Sequence, residues 1–190
     1  MTDEWIYERT VDNSARFVLG TVGENPLTCV GVNPSTAAPG VLDLTISKVM
    51  GFASRNGYDS WAMLNLYPQR STNPSDMHLA VSAELQSENE RQIAAFIDGR
   101  PLTLLAAWGE LIVTRPYLSD MLEGIVALAD ASTCGWVSIG EFLKSGHPRH
   151  PSRAAYALPL QSFDMERYVT RVRAGAASKA GRRSRASVTV

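Results

Sequence analysis

Four continuous apolar runs constrain the fold most: "LTCVGV" (27–32), "WAMLNLY" (61–67), "LTLLAAW" (102–108) and "GWVSIG" (135–140). Apolar and polar residues do not alternate within them, as expected of strands covered on both faces. Helical periodicity fills the intervals. Ile46, Val49, Met50 and Ala53 recur at i, i+3, i+4 and i+7, and Gly57 is placed to stop that helix. Residues 76–98 continue the pattern with Leu85, Ile93, Phe96 and Ile97, ending at Gly99. Thr114 is placed to cap a third helix containing Leu118, Met121, Leu122, Ile125 and Leu128, and a last helix is expected from near Ser162. Strand alternating with helix predicts right-handed βαβ units. The expected fold is α/β, a three-layer α/β/α arrangement around a mainly parallel sheet of four to five strands. "RFVLGTVGENPLT" adds a short strand and turn in front.

Residues 1–165 read as a single α/β domain, and 166–190 as a basic C-terminal helix and flexible tail. The net charge of −1 hides this asymmetry: seven Lys or Arg lie between Arg167 and Arg185, and no acid follows Glu166. Such a tail attracts polyanions without reading their sequence, and it serves equally as a plain solvated terminus. With 45% hydrophobic and 19% charged residues, the composition is that of a globular protein. No apolar run approaches the roughly 20 residues that span a bilayer, and "MTDEWIYERT" lacks a signal pattern, so no membrane association and a cytoplasmic location are expected. Cys29 and Cys134 lie far apart without ligand spacing and read as buried free thiols.

Ligands of open α/β sheets bind beyond the carboxyl ends of the strands. Here each run ends in polar residues: Asn33-Pro34-Ser35-Thr36, Asn65 with "LYPQRS", Trp108-Gly109, and "SGHPRHPSR". A turn of this kind is also an ordinary strand-to-helix connection, but four converging on one edge point to a site. Several chemistries are excluded: the chain has no G-x-x-x-x-G-K-[ST], no G-x-G-x-x-G after the first strand and no G-x-S-x-G. Three His and two Cys without ligand spacing argue against a metal, and no cofactor is expected. The remaining set is Asn33, Ser35, Thr36, Asn65, Arg70, His147 and His150. It can hydrogen-bond a heteroaromatic ring and neutralise a phosphate, with Tyr67 or Trp108 stacking on a base. Each has a plainer role: Trp108 as core, Arg70 as surface charge, Asn65 as a strand end, the histidines as loop residues.

"GVNPSTA", "DLTISKVMGFASRNGYDSWAMLNLYPQRSTNP", "AAWG" and "GHPRHP" occur in an order that resembles the DUF1643 family of bacterial and phage proteins, from about Arg16 to Ser152. More distantly, G-x-N-P, N-L-x-P-x-R and H-P-S are similar to the uracil-DNA glycosylase superfamily, in particular its mismatch-specific thymine/uracil branch. That resemblance implies a uracil-DNA-glycosylase-like fold whose cleft takes a base flipped out of DNA. It implies that Gly31 and Pro34 form the ligand loop with Asn33, which positions the hydrolytic water. It assigns His150-Pro151-Ser152 to stabilising the leaving base and pinching the phosphate backbone. The chain departs from the branch's N-P-G with N-P-S-T, its two H-P pairs leave His147 as an alternative to His150, and the nearest acid is Asp43, whose plainer role is a helix N-cap.

Three readings follow. The protein is a glycosylase-like enzyme acting on a damaged or modified base in DNA. Alternatively it is a non-catalytic binder of modified DNA or of a nucleotide, or an enzyme acting on a free nucleoside or nucleotide. The expected partner is DNA, through the cleft and the basic tail, or a nucleotide. The sequence leaves the oligomeric state open.

Overall fold

A computed structural model of the chain describes residues 4–174. Strands β1 (Trp5–Arg9), β2 (Arg16–Thr21) and β3 (Pro26–Gly31) come first. Helix α1 (Leu44–Arg55), β4 (Ser60–Asn65), α2 (Ala83–Ile97), β5 (Thr103–Ala106), α3 (Leu118–Ala131) and β6 (Gly135–Ile139) then alternate. Strand β7 (Leu160–Ser162) and a helix over 165–174, α4, close the described chain. The basic stretch 175–190, read from sequence as a tail, lies outside the described residues.

The protein is a mixed α/β structure built on one seven-stranded sheet of order β1-β2-β4-β3-β5-β6-β7. The four runs legible in the sequence form its parallel centre, β4-β3-β5-β6. Three antiparallel edge strands bring the total to seven rather than four or five: β1 and β2 on one side and β7 on the other. β1 is half-exposed and β7 is only three residues long, so neither carries a continuous apolar run.

Continuous apolar character has a direct cause. Leu27 and Cys29 of β3 face one core with Ile46, Val49 and Phe52 of α1, while Val30 faces a second core with Ile93 of α2 and Leu122 of α3. β5 divides the same way, with Leu105 in the first core and Leu104 and Ala106 in the second. Alternate residues point to opposite faces of a strand, so both faces here demand apolar side chains. Helix α1 therefore lies on one face, and α2 and α3 on the other. Crossing from β3 to its neighbour β4 on one face, and from β4 over β3 to β5 on the other, creates a topological switch point between β3 and β5. Open sheets of this kind form a crevice there, at the strands' carboxyl ends.

Helix boundaries moved where local chemistry overrode periodicity. Residues 74–76 form a short 3-10 turn capped by Asn73, and α2 starts only at Ala83, with the Ser82 side chain accepting from the Leu85 amide. Thr114 does not cap α3. Its hydroxyl donates back to the Leu111 carbonyl, and Pro116, which restricts the residue before it, delays the helix to Leu118. Cys29 is buried, but Cys134 is only partly so, and both thiols are free. Among the described residues no helix is long and apolar enough to cross a membrane.

Candidate functional site

A cleft of about 820 Å³ opens at the switch point, within the roughly 300–1,000 Å³ range of small-molecule sites. Gly31 and Met63 contribute to its floor, the loop after β3 and the start of α1 to one wall, and Trp108, Gly109 and the loop from Leu143 to Arg153 to the other. A second depression, of about 660 Å³, runs along α4 beside Phe142 and Arg171.

Of the residues singled out from sequence, Gly31, Asn33, Ser35, Asp43, Trp108, Gly109, His150 and Ser152 line this cleft. Asn33 and His150, 117 positions apart by their numbers, thus share one cavity. Asn33 is held firmly. Its Nδ2 donates to the carbonyl oxygens of Pro34 at 3.0 Å and Ser71 at 2.8 Å, which uses both amide hydrogens and leaves Oδ1 as an acceptor. Asp43 does cap α1, with Oδ1 accepting from the Ile46 amide at 2.9 Å, and it also lines the cleft. One carboxylate thus both caps the helix and borders the cleft.

His150 opens the 3-10 turn Pro151–Arg153. The Ser152 amide donates to its Nδ1 at 3.3 Å, and the Ser152 hydroxyl lies 2.8 Å from the same nitrogen. A nitrogen that accepts carries no proton, so the neutral ring holds its hydrogen on Nε2. Burial first, and the Arg153 charge second, push its pKa below the ordinary histidine value, with Asp43 opposing. His150 is therefore a neutral donor at pH 7. Gly109, at φ +57°, lies against it: a Cβ there would come within 3.6 Å of the His150 Cβ.

Other predicted residues stand elsewhere. Tyr67 is 0% exposed, and its hydroxyl lies 2.7 Å from Nδ1 of His78 and accepts from the Ser82 amide. It is a core residue with no face to offer a base. Trp108 is also 0% exposed, and its Nε1 donates to Tyr168 Oη at 2.8 Å. It supports the cleft wall from the core rather than stacking in the open. His147 Nδ1 lies 2.8 Å from that same Tyr168 oxygen, so of the two histidines it is His150 that lines the cleft. Arg70 is neither a surface charge nor part of the lining. Its guanidinium donates to the Ser35 and Ala37 carbonyls and to Tyr7 Oη, binding the loop after β3 to the sheet edge. Neither Pro34, buried in that loop with its carbonyl accepting from Asn33, nor Thr36, exposed on it, lines the cleft. Asn65 is fully buried beside the floor, with Oδ1 3.4 Å from where a Gly31 Cβ would sit.

The cleft's cations escaped the sequence reading. Arg16, Lys144, Arg149 and Arg153 line it, against Asp43 and Glu110. Arg16 reaches it because β2 runs antiparallel to β4, which puts the start of β2 at the edge where the parallel strands end. The available signal was an arginine heading the otherwise apolar stretch "RFVLG". Among the described residues, no group of three or more His, Cys, Asp or Glu is placed to hold a metal ion.

Sheet order and strand-end cleft together define the class: a mixed α/β protein with a crevice at its switch point lined by more cations than acids. Residues 16–152 match the family described as "Protein of unknown function (DUF1643)", and the chain belongs to that family. No curated protein and no solved structure matches it.

Proposed function

We propose that the protein binds a nucleobase of DNA in this cleft, on a three-layer, uracil-DNA-glycosylase-like fold, and excises a damaged or modified base by N-glycosidic hydrolysis. The observation that carries the reading is that one cavity is lined by both Asn33, whose amide hydrogens are used so that Oδ1 is left to accept, and His150, whose Nδ1 accepts so that Nε2 carries the hydrogen. The parallel order β4-β3-β5-β6, with helices on both faces, and the cationic lining support it.

In this reading Asn33 Oδ1 accepts a hydrogen from the attacking water. The water oxygen bonds to C1′ as the glycosidic C–N bond breaks, and the bond's electron pair leaves with the base. His150 Nε2–H donates to the base oxygen that takes up the negative charge; a preorganised donor of this kind is worth about 3 kcal/mol in the transition state. Asp43 receives the water's proton through the carboxylate oxygen that the α1 cap does not use. Burial of His150 keeps it a neutral donor, so no proton need be lost before the reaction.

Mass spectrometry of free bases tests this. DNA carrying uracil, mismatched thymine, or hydroxymethylated and otherwise modified pyrimidines is incubated with the wild type and with Asn33→Ala. Release by the wild type that Asn33→Ala abolishes is the expected result. No release from any substrate at micromolar enzyme and long incubation overturns catalysis on these bases.

A further inference from the structure

We infer that Arg16 is the anchor of an anion subsite at the β2 end of the cleft, built for the phosphate of a nucleotide or of a nucleic-acid backbone. This goes beyond the nucleobase reading and does not depend on base excision. Arg16 is 2% exposed, yet it lines the cleft. Its Nη1 donates to the Ala37 carbonyl at 3.1 Å, which fixes the plane of the guanidinium. Its Nε is buried without a partner. Among the described residues, the ion pairs are Arg91–Glu88 and Arg173–Glu123, so Arg16 has no carboxylate within 4.0 Å.

A buried cation with no counter-ion is costly, and a buried N–H with no acceptor adds to that cost. Arg70, gripping the same Ala37 carbonyl, places a second positive charge beside it. Burial first, then Arg70, pull the Arg16 pKa down to about 10, with Asp43 and Tyr7 opposing, so the residue stays charged at neutral pH. An incoming anion relieves all three penalties: the missing counter-ion, the idle Nε–H and the repulsion between the two guanidiniums.

The rest of the lining favours phosphate over a small carboxylate. The Arg149 Nε is likewise buried and unpartnered, and the hydroxyls of Ser35, Thr45 and Thr72 line the same cleft. A phosphate offers several oxygens to such a set, and the planar arginine fork matches two of them. The acid whose charge acts on Arg16 is Asp43, at a separation beyond that of an ion pair. It orients the ligand, since the anionic end is drawn to Arg16 and the donor-bearing end to Asp43.

Arginine Nε–H spectra of the full chain, assigned by triple-resonance NMR, test the proposal in the wild type. Inorganic phosphate, deoxyuridine 5′-monophosphate and a single-stranded pentanucleotide without terminal phosphates serve as probes. The Arg16 Nε–H resonance is expected to shift and saturate with phosphate-bearing probes. A response to the first two assigns the subsite to a terminal phosphate, and a stronger response to the pentanucleotide assigns it to the bridging phosphodiester. Arg16→Gln is expected to weaken binding roughly ten- to a hundredfold, the scale of a lost hydrogen bond to a charged group. An unmoved Arg16 resonance with all three probes, or equal affinity in a folded Arg16→Gln, overturns the proposal. Base release without an Arg16 response would sink this subsite and leave the glycosylase reading standing. An Arg16 response without base release would do the reverse.

Discussion

The Asn33 side-chain amide donates to the Ser71 carbonyl at 2.8 Å, joining the loop after β3 to the loop after β4. Those loops follow adjacent parallel strands and both line the cleft, so this bond ties two parts of its lining together. The chain reinforces it twice, with the Ser71 amide donating to the Pro34 carbonyl at 2.9 Å and Arg70 gripping the Ala37 carbonyl.

Asn33→Asp replaces two donated hydrogens by a carboxylate facing the Pro34 and Ser71 carbonyl oxygens. Stability is expected to fall by about 1–3 kcal/mol at pH 7, the cost of leaving buried polar groups unpaired. Part of that loss should be recovered near pH 3, where the carboxyl can protonate and donate one bond. Urea denaturation at the two pH values measures the difference. Equal destabilisation at both would show that the two carbonyls do not sense the side chain's charge.

Tyr168 links three elements. Its oxygen accepts from Trp108 Nε1, and its hydrogen is then free for His147 Nδ1, each contact being 2.8 Å long. Burial raises its pKa from the ordinary 10.0 to about 12. The folded state thus holds this proton more tightly than the unfolded chain. The stability it contributes is complete below pH 10 and drains away as pH rises from about 10 to 12, by roughly 2–3 kcal/mol. Tyr168→Phe should flatten that alkaline loss while costing about 1–3 kcal/mol at pH 7, because Trp108 Nε1 loses its acceptor. Thermal melts across pH 8–11 decide it, and an unchanged alkaline slope in the variant would reject Tyr168 as the titrating group.

His150 titrates in the opposite sense. Its folded pKa lies below the ordinary 6.5, chiefly through burial. The unfolded chain therefore takes up a proton first as pH falls. The resulting stability is present above about pH 6.5 and is lost as pH drops through the folded pKa. Arg153→Ala removes the second cause and should move the His150 Cε1–H titration midpoint upward, toward but not reaching 6.5. A midpoint that stays fixed would show that burial alone sets it.

How much of this was legible in the sequence depended on whether a residue's neighbours were near it in the chain. Leu27, Cys29 and Val30 must satisfy two cores at once, so the parallel centre of the sheet announced itself as unbroken apolar runs. Asn33 and the segment holding His150 were visible because polar residues that follow such runs fall on the carboxyl edge, whereas Asp43 came into view only as the nearest acid that the glycosylase resemblance offered. Arg16 was not visible. Its place in the cleft follows from the antiparallel pairing of β2 with β4, a contact between positions such as Leu19 and Met63 that no local pattern encodes. Tyr67 and Arg70 misled for a related reason. Both follow β4 closely, yet Tyr67 turns into the core toward His78, while Arg70 bonds to backbone that the sequence does not advertise.

Asn65 is a buried polar side chain that its surroundings leave unpartnered. It is 0% exposed at the end of β4, with both Nδ2 and Oδ1 lacking a partner. Beside it, Gly31 carries no side chain, and the space a Cβ would take ends 2.6 Å from Met63 Cε and 3.4 Å from Asn65 Oδ1. Each unsatisfied buried group costs about 1–3 kcal/mol, so an amide with two of them opposes folding. Asn65→Val, free of polar atoms and nearer to Asn in volume than Leu is, is therefore expected to hold stability or raise it by about 1–3 kcal/mol, read from urea midpoints. If the amide completes its bonds only with a ligand entering at Gly31, the same variant should lose base release or phosphate binding while gaining stability. Gly31→Ala should weaken the same binding by pushing Met63 Cε toward the cleft, at little cost to the fold because that methyl ends a flexible side chain. A fall in stability of more than about 1 kcal/mol in Asn65→Val would show that the amide is satisfied in the free protein and serves the fold.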